Sequence, residues 1–170
     1  RDWSSDVCSS DLNFITAQEA AEKIQDGSTL CTIGMTLVSA SESILKAIEK
    51  RFETVGHPAD ITLVHSCGQS DRKDGIQHLA HEGLVKRIIG SHWGLQPRWM
   101  EMIANSQVEA YCLPQGQIAQ LYRSMACGLP GKMSKVGLGT FIDPRVEGGK
   151  MNDRTKPLPD IVDILEYSGE

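Results

Sequence analysis

No apolar run in this chain approaches the roughly 18 residues that a membrane helix needs, which predicts no transmembrane span. There is no basic stripe either. Lys and Arg number 17 against 22 Asp and Glu, a formal net charge of −5, which argues against nucleic acid as the main partner. The cysteines show no Cys-x-x-Cys pair and no metal-ligand spacing. His78 and His81 stand three residues apart with no carboxylate or cysteine on the same element to complete a site, so no metal is expected. Gly137-x-Gly139 supplies only two glycines of a dinucleotide fingerprint, without the acidic residue that must follow a second strand. The Gly-x-Ser-x-Gly turn that exposes a serine nucleophile is also missing.

Residues 1–12, RDWSSDVCSSDL, have no basic start, no apolar core of secretory length and no helical or strand period. They resemble a translated sequencing adapter, a non-native scar, so Trp3 and Cys8 carry no functional weight. The remainder has a formal charge of about −3 and suits one domain with a substantial core. Three of its four cysteines, Cys31, Cys67, Cys112 and Cys127, sit in or beside apolar runs. They are expected to be reduced, buried thiols in a cytoplasmic protein.

Helix and strand signals alternate along the chain. Thr16 with Glu19 forms a capping box for a helix that Asp26-Gly27 ends. Ser28–Gly34 reads as a buried strand, and Ser41–Phe52 as a helix with Ile44, Leu45 and Ile48 inward. Strands follow at Ile61–Val64, Val85–Ile89 and Val108–Leu113. A short helix is expected at His78–Leu84 and another at Gln96–Asn105. This alternation predicts an α/β fold, an open and mostly parallel sheet with helices on both faces. Lys150–Pro159 is polar and proline-broken, and residues 157–170 read as the cut start of a following segment.

The most informative stretch is Tyr111–Gly149. A strand ends in Leu113-Pro114, Gln115-Gly116 opens an amphipathic helix carrying Ile118, Leu121, Tyr122 and Met125, and a glycine-dense loop follows. Ligands collect beyond the carboxyl ends of strands in open α/β sheets, where the next helix presents free N–H groups. Gln115 sits at such a mouth with a carboxamide able to donate. Ser66, after a strand in VHSCG, is a candidate nucleophile with His65 or His92 as base, though a loop serine there more often donates a hydrogen bond.

Taken in order, Asp26-Gly27, the strand into Gly34-Met35, Glu42 opening a helix, the strand before Ser66, Leu113-Pro-Gln-Gly116 and Glu147-Gly-Gly149 resemble the N-terminal, α-type half of family I coenzyme A transferases. The segments Lys86–Gly94 and Pro130–Arg145 look closer to the acetate and propionate enzymes than to the two-subunit 3-oxoacid ones. The resemblance implies a Rossmann-like domain over residues 13–156. It implies ping-pong transfer of coenzyme A between a short-chain acyl-CoA and a carboxylic acid through a glutamyl-CoA thioester. No cofactor is held permanently; the coenzyme A thioester is substrate. Gln115 matches an oxyanion donor, Gly116 permits close backbone approach, and Ser66, Gly34 and Met35 match substrate-side positions. The expected partners are the C-terminal, β-type half of the same enzyme and, at full length, further copies in a homo-oligomer.

Two features depart from the family pattern. Many relatives carry Gly-Gly-Phe at the first strand, where this chain has Ile33-Gly34-Met35. The nucleophilic glutamate of the family lies in its C-terminal half in a strand-then-Glu-x-Gly context, which does not occur here. Glu82-Gly83 and Glu147-Gly148-Gly149 read as structural. The expectation is therefore an N-terminal fragment without its nucleophile. A sugar-phosphate isomerase, a ligand-sensing domain or a non-catalytic assembly domain on the same architecture are the alternatives.

Overall fold

The computed structural model describes residues 14–166. The reading of residues 1–12, with Trp3 and Cys8, lies outside them. Four parallel strands, β1 (Thr29–Thr32), β2 (Ile61–His65), β3 (Val85–Gly90) and β4 (Glu109–Cys112), lie side by side in chain order. Helices α1 (Ala17–Glu22), α2 (Glu42–Val55), α3 (Pro97–Ala104) and α4 (Gln115–Ala126) accompany them, with a 3-10 helix at Gly75–Leu79. The capping box is formed as expected: Glu19 N–H donates to Thr16 Oγ1 at 3.2 Å, and Thr16 N–H donates to Glu19 Oε2 at 2.7 Å.

Strand alternation sorts the core into two layers. Leu63, Ile88 and Ala110 join Leu45 and Ile48 of α2, Ile76 and Leu79 of the 3-10 helix, and Trp99 and Ile103 of α3 in one apolar cluster. Val64 and Ile89 point the other way, against Ile118 and Tyr122 of α4 and against Ile142, Ile161 and Val162. Parallel strands in sequential order with right-handed crossovers put α2, the 3-10 helix and α3 on one face. Helix α4 then closes the other. All four carboxyl ends therefore share one edge of the sheet.

Three expectations need correction. Ser28–Gly34, read as a buried strand, is the shorter β1, whose residues alternate between exposed and half-buried. The segment read as a helix over His78–Leu84 is a 3-10 helix placed earlier, at Gly75–Leu79. None of the four described cysteines is fully buried: Cys31 and Cys127 are exposed and Cys67 and Cys112 half-buried. Cys31 lies on β1 at the edge of the sheet, where it has a neighbouring strand on only one side.

The polar Lys150–Pro159 stretch is packed. Asn152 and Thr155 are buried; Asn152 Nδ2 donates to the Ile103 and Val108 carbonyls at 3.0 and 2.9 Å, and Ala110 N–H donates to Thr155 Oγ1 at 2.9 Å. Cys112 N–H donates to Gly149 O at 2.8 Å and Met151 N–H to Ala110 O at 3.0 Å. This segment covers the outer edge of β4, where unpaired backbone groups would otherwise be exposed.

Candidate active site

The residues singled out in the sequence follow the carboxyl ends of the strands on one edge of the sheet, Gly34 and Met35 after β1, Ser66 after β2 and Gln115 after β4, with β1 and β4 the two outer strands. Gln115 is the first residue of α4, directly after β4, and is exposed. Pro114 at the N-cap offers no side-chain acceptor, so the first N–H groups of α4 are left open to solvent or a ligand. A β-carbon on Gly116 would meet no atom within 4 Å. The chain itself gives no packing reason for glycine there.

Ser66, Gly34 and Met35 lie on the loops after β2 and β1. Thr36 N–H donates to Gly68 O at 2.8 Å and joins these two loops. Ser91 Oγ donates to the Ser66 carbonyl, and Leu113 N–H donates to Gly90 O at 2.9 Å. Tyr122, two turns into α4, donates its hydroxyl to Thr32 O at 3.1 Å. Burial pushes the Tyr122 phenol up, opposed by its contact with Ser66. Hydrogen bonds thus cross the edge from one loop to the next.

The β1 loop is tightly wound. Gly34 has φ +132, and a β-carbon there would stand 2.7 Å from Val38 O; Met35 and Val38 pair across the turn and are 62% and 69% exposed. Thr36 and Ser39 both adopt positive φ, 53° and 62°, a conformation that costs non-glycine residues energy and is concentrated at functional loops.

His65 does not act as a base for Ser66. Its Nδ1–H donates to Cys67 O at 2.7 Å, its Nε2 packs against Gly90, and it is fully buried. Burial first of all, against the Cys67 hydrogen bond and with the charge of His92, brings its pKa down to about 4. The glycine-dense loop, in turn, is organised by Asp143, which sequence reasoning missed. Its carboxylate accepts from Gly139 N–H at 2.7 Å and from the Arg145 guanidinium at 2.9 and 2.7 Å. Arg145 and those N–H groups hold the Asp143 carboxyl well below the usual range.

A cleft of about 260 Å³ lies beside His81, Arg98 and Met102, and one of about 310 Å³ beside Pro144, Lys150 and Asp160. Neither includes Gln115, Ser66 or Gly34.

The sequence model of the family described as "Coenzyme A transferase" matches residues 14–168. The chain belongs to the coenzyme A transferase family. Among curated relatives of this family, the caffeate CoA-transferase of Acetobacterium woodii is 41% identical over 92% of this chain and 30% of that protein. The acetate CoA-transferase YdiF of Escherichia coli K12 is 36% identical over 92% of this chain and 29% of that protein. The crystal structure of acyl-CoA transferase YdiF from E. coli O157:H7, a thioester complex with CoA, superposes with a TM-score of 0.84 at 35% identity. That alignment covers 92% of this chain and 30% of that one. The chain therefore spans about 30% of the length of these transferases.

Proposed function

We propose that this chain provides the N-terminal, α-type half of an enzyme that moves coenzyme A between a short-chain acyl-CoA and a carboxylic acid, of the acetate and propionate type. A glutamate carboxylate in the C-terminal half attacks the thioester and releases CoA thiolate. The thiolate then attacks the glutamyl carbonyl of the resulting anhydride, which gives a glutamyl-CoA thioester and the free carboxylic acid before an acceptor acid takes the CoA. Gln115 donates its carboxamide N–H to the oxyanion that forms at each tetrahedral step, helped by the open N–H groups of α4. Ser66, Gly34 and Met35 line the substrate side of the same edge. The relative solved as a thioester complex with CoA supports this chemistry.

The observation that carries the reading is the pair Gln115 and Gly116. An exposed carboxamide donor stands at an uncapped helix start, beside a glycine with open space around it. A surface-exposed Gln115 at the carboxyl edge fits a site completed by another domain. The domain spans residues 13–156, and 157–170 begin the following segment. The whole enzyme is placed in the cytoplasm, where the four described cysteines stay free, and assembles as a homo-oligomer.

The test is a chimera of this chain with the C-terminal portion of the acetate CoA-transferase YdiF. Exchange between acetyl-CoA and propionate with ping-pong kinetics is expected from the chimera, and none from the 170-residue chain alone. Turnover by the chain alone would refute the placement of the nucleophile.

A further inference from the structure

We propose that Glu42, Asp74 and His78 form a binding site for one divalent transition-metal ion of the zinc class, which staples the loop after β1 to the loop after β2. The proposal is independent of the acyl-transfer reading. Glu42 opens α2, directly after residues 33–41, and Asp74 closes residues 66–74 just before the 3-10 helix that carries His78.

The donor atoms converge. His78 Nε2 stands 2.8 Å from Glu42 Oε1 and 3.3 Å from Asp74 Oδ1, and the three ligand atoms lie within 4.8 Å of one another. A tetrahedral zinc ion with bonds of about 2.0 to 2.2 Å separates its ligands by about 3.3 to 3.5 Å. Opening the Glu42–His78 pair by roughly 0.5 Å would bring it to that separation. The Asp74–His78 pair already stands at 3.3 Å, and the partly exposed side of the group leaves room for water as a fourth ligand.

The ligand shell is supported from behind. His78 Nδ1 is bound to Glu49 Oε2 at 2.5 Å, and Glu49 Oε1 is bound in turn to His81 Nε2 at 2.8 Å. A carboxylate on the far nitrogen is the arrangement that orients a metal-binding imidazole and raises its basicity. Glu42 Oε2 accepts Gly75 N–H at 2.9 Å, which leaves Oε1 for the site. Asp71 accepts the N–H groups of Lys73 and Asp74 at 3.0 and 2.9 Å and fixes the turn.

A positive charge already stands at this point. Lys46 Nζ lies 3.1 Å from Glu42 Oε1 and 3.4 Å from Asp74 Oδ1. Its side chain is 54% exposed, so the ammonium is a mobile occupant that a dication can displace. On binding, the metal takes the Nε2 lone pair, the Nε2 proton passes to solvent, and Lys46 swings out. The other candidate set, Glu49 with Glu53 and His81, uses Glu49 as a ligand and forfeits this support.

The test uses the 170-residue chain, stripped with chelator and titrated with Zn²⁺ by equilibrium dialysis and with Co²⁺ by visible absorption. One saturable ion per chain is expected, with a Co²⁺ spectrum of nitrogen and oxygen ligands and no thiolate charge-transfer band. His78→Gln should abolish that site, and Glu49→Gln should weaken it about 10- to 100-fold. Lys46→Ala, at a solvent-facing position that folding tolerates, should tighten binding. The proposal is overturned by the absence of saturable binding, by a thiolate band, by binding unchanged in folded His78→Gln, or by a Lys46→Ala chain that binds no more tightly.

Discussion

His65 occupies the space that Gly90 leaves beside it: a β-carbon on Gly90 would stand 2.3 Å from His65 Nε2 and 2.6 Å from Cε1. The ring is also packed edge-to-face with Trp93, ring centroids 4.9 Å apart, and is fully buried, so it has little room to retreat. Gly90→Ala is expected to cost about 1 to 3 kcal/mol by overpacking, read from urea unfolding. Adding His65→Ala should recover part of that loss, because the two changes share one contact. An unchanged unfolding midpoint in Gly90→Ala would contradict the fit.

Stability should depend on pH in two opposed limbs. Burial brings His65 down to about 4, so the unfolded chain takes up a proton that the folded one refuses. Its contribution is complete above the unfolded value near 6.5 and is lost as pH falls toward 4, a change of about 3 kcal/mol. His78 behaves oppositely: burial works against its charge, but the Glu49 and Glu42 carboxylates outweigh it and raise its pKa. That contribution is present below about 6.5 and fades as pH rises through the raised folded value. Urea midpoints across a pH series should peak between the limbs. His65→Gln should flatten the acid limb and His78→Gln the alkaline one; a variant that leaves its limb unchanged would refute the assignment.

Asn152→Ala should be among the more damaging polar substitutions. It removes a donor from the Ile103 and Val108 carbonyls and an acceptor from the Thr155 N–H and hydroxyl. Ile103 O keeps the Ser106 N–H and Thr155 N–H keeps Asn152 O, so the Val108 carbonyl and the Thr155 hydroxyl lose a buried partner, and unsatisfied buried groups cost about 1 to 3 kcal/mol each. Loss of at least about 2 kcal/mol in urea unfolding is expected. A loss below about 0.5 kcal/mol would show that residues 150–159 are not integral to the domain.

What the sequence disclosed depended on how locally each feature is encoded. Thr16 and Glu19 announce their helix within one turn, and the apolar runs at Ile61 and Val85 mark strands without any tertiary knowledge. The shared carboxyl edge of the strands followed from the alternation of strands and helices, and so did the place of the candidate Gln115 at a strand–helix junction. Glu42 and Glu49 stand on α2 and His78 on the 3-10 helix, so no spacing rule could pair the two carboxylates with the imidazole. The packing of Asn152 and Thr155 was hidden because polar residues read as linker unless the backbone groups they satisfy are known. Cys31 misled because an apolar run at an edge strand is not buried on all sides.

Gln115→Ala in a full-length enzyme should lower kcat by roughly 100-fold or more, with KM for acyl-CoA within a few fold, because the contact strengthens only as oxyanion charge develops. Its carboxamide makes no hydrogen bond among the described residues, so the same substitution should leave the melting temperature nearly unchanged. Gln115→Glu should be worse for turnover. Near-normal kcat in folded Gln115→Ala would remove the residue from the mechanism.

Strands laid down in chain order have a consequence for biosynthesis. A nascent chain leaving the ribosome can dock β2 on β1 and β3 on β2 as each emerges, since every strand finds its partner among residues already made. β4 likewise finds β3 already made, but its outer edge must wait. The Ala110 amide awaits Thr155 and the Cys112 amide awaits Gly149, so the strand that presents Gln115 is completed only after some forty further residues have been translated.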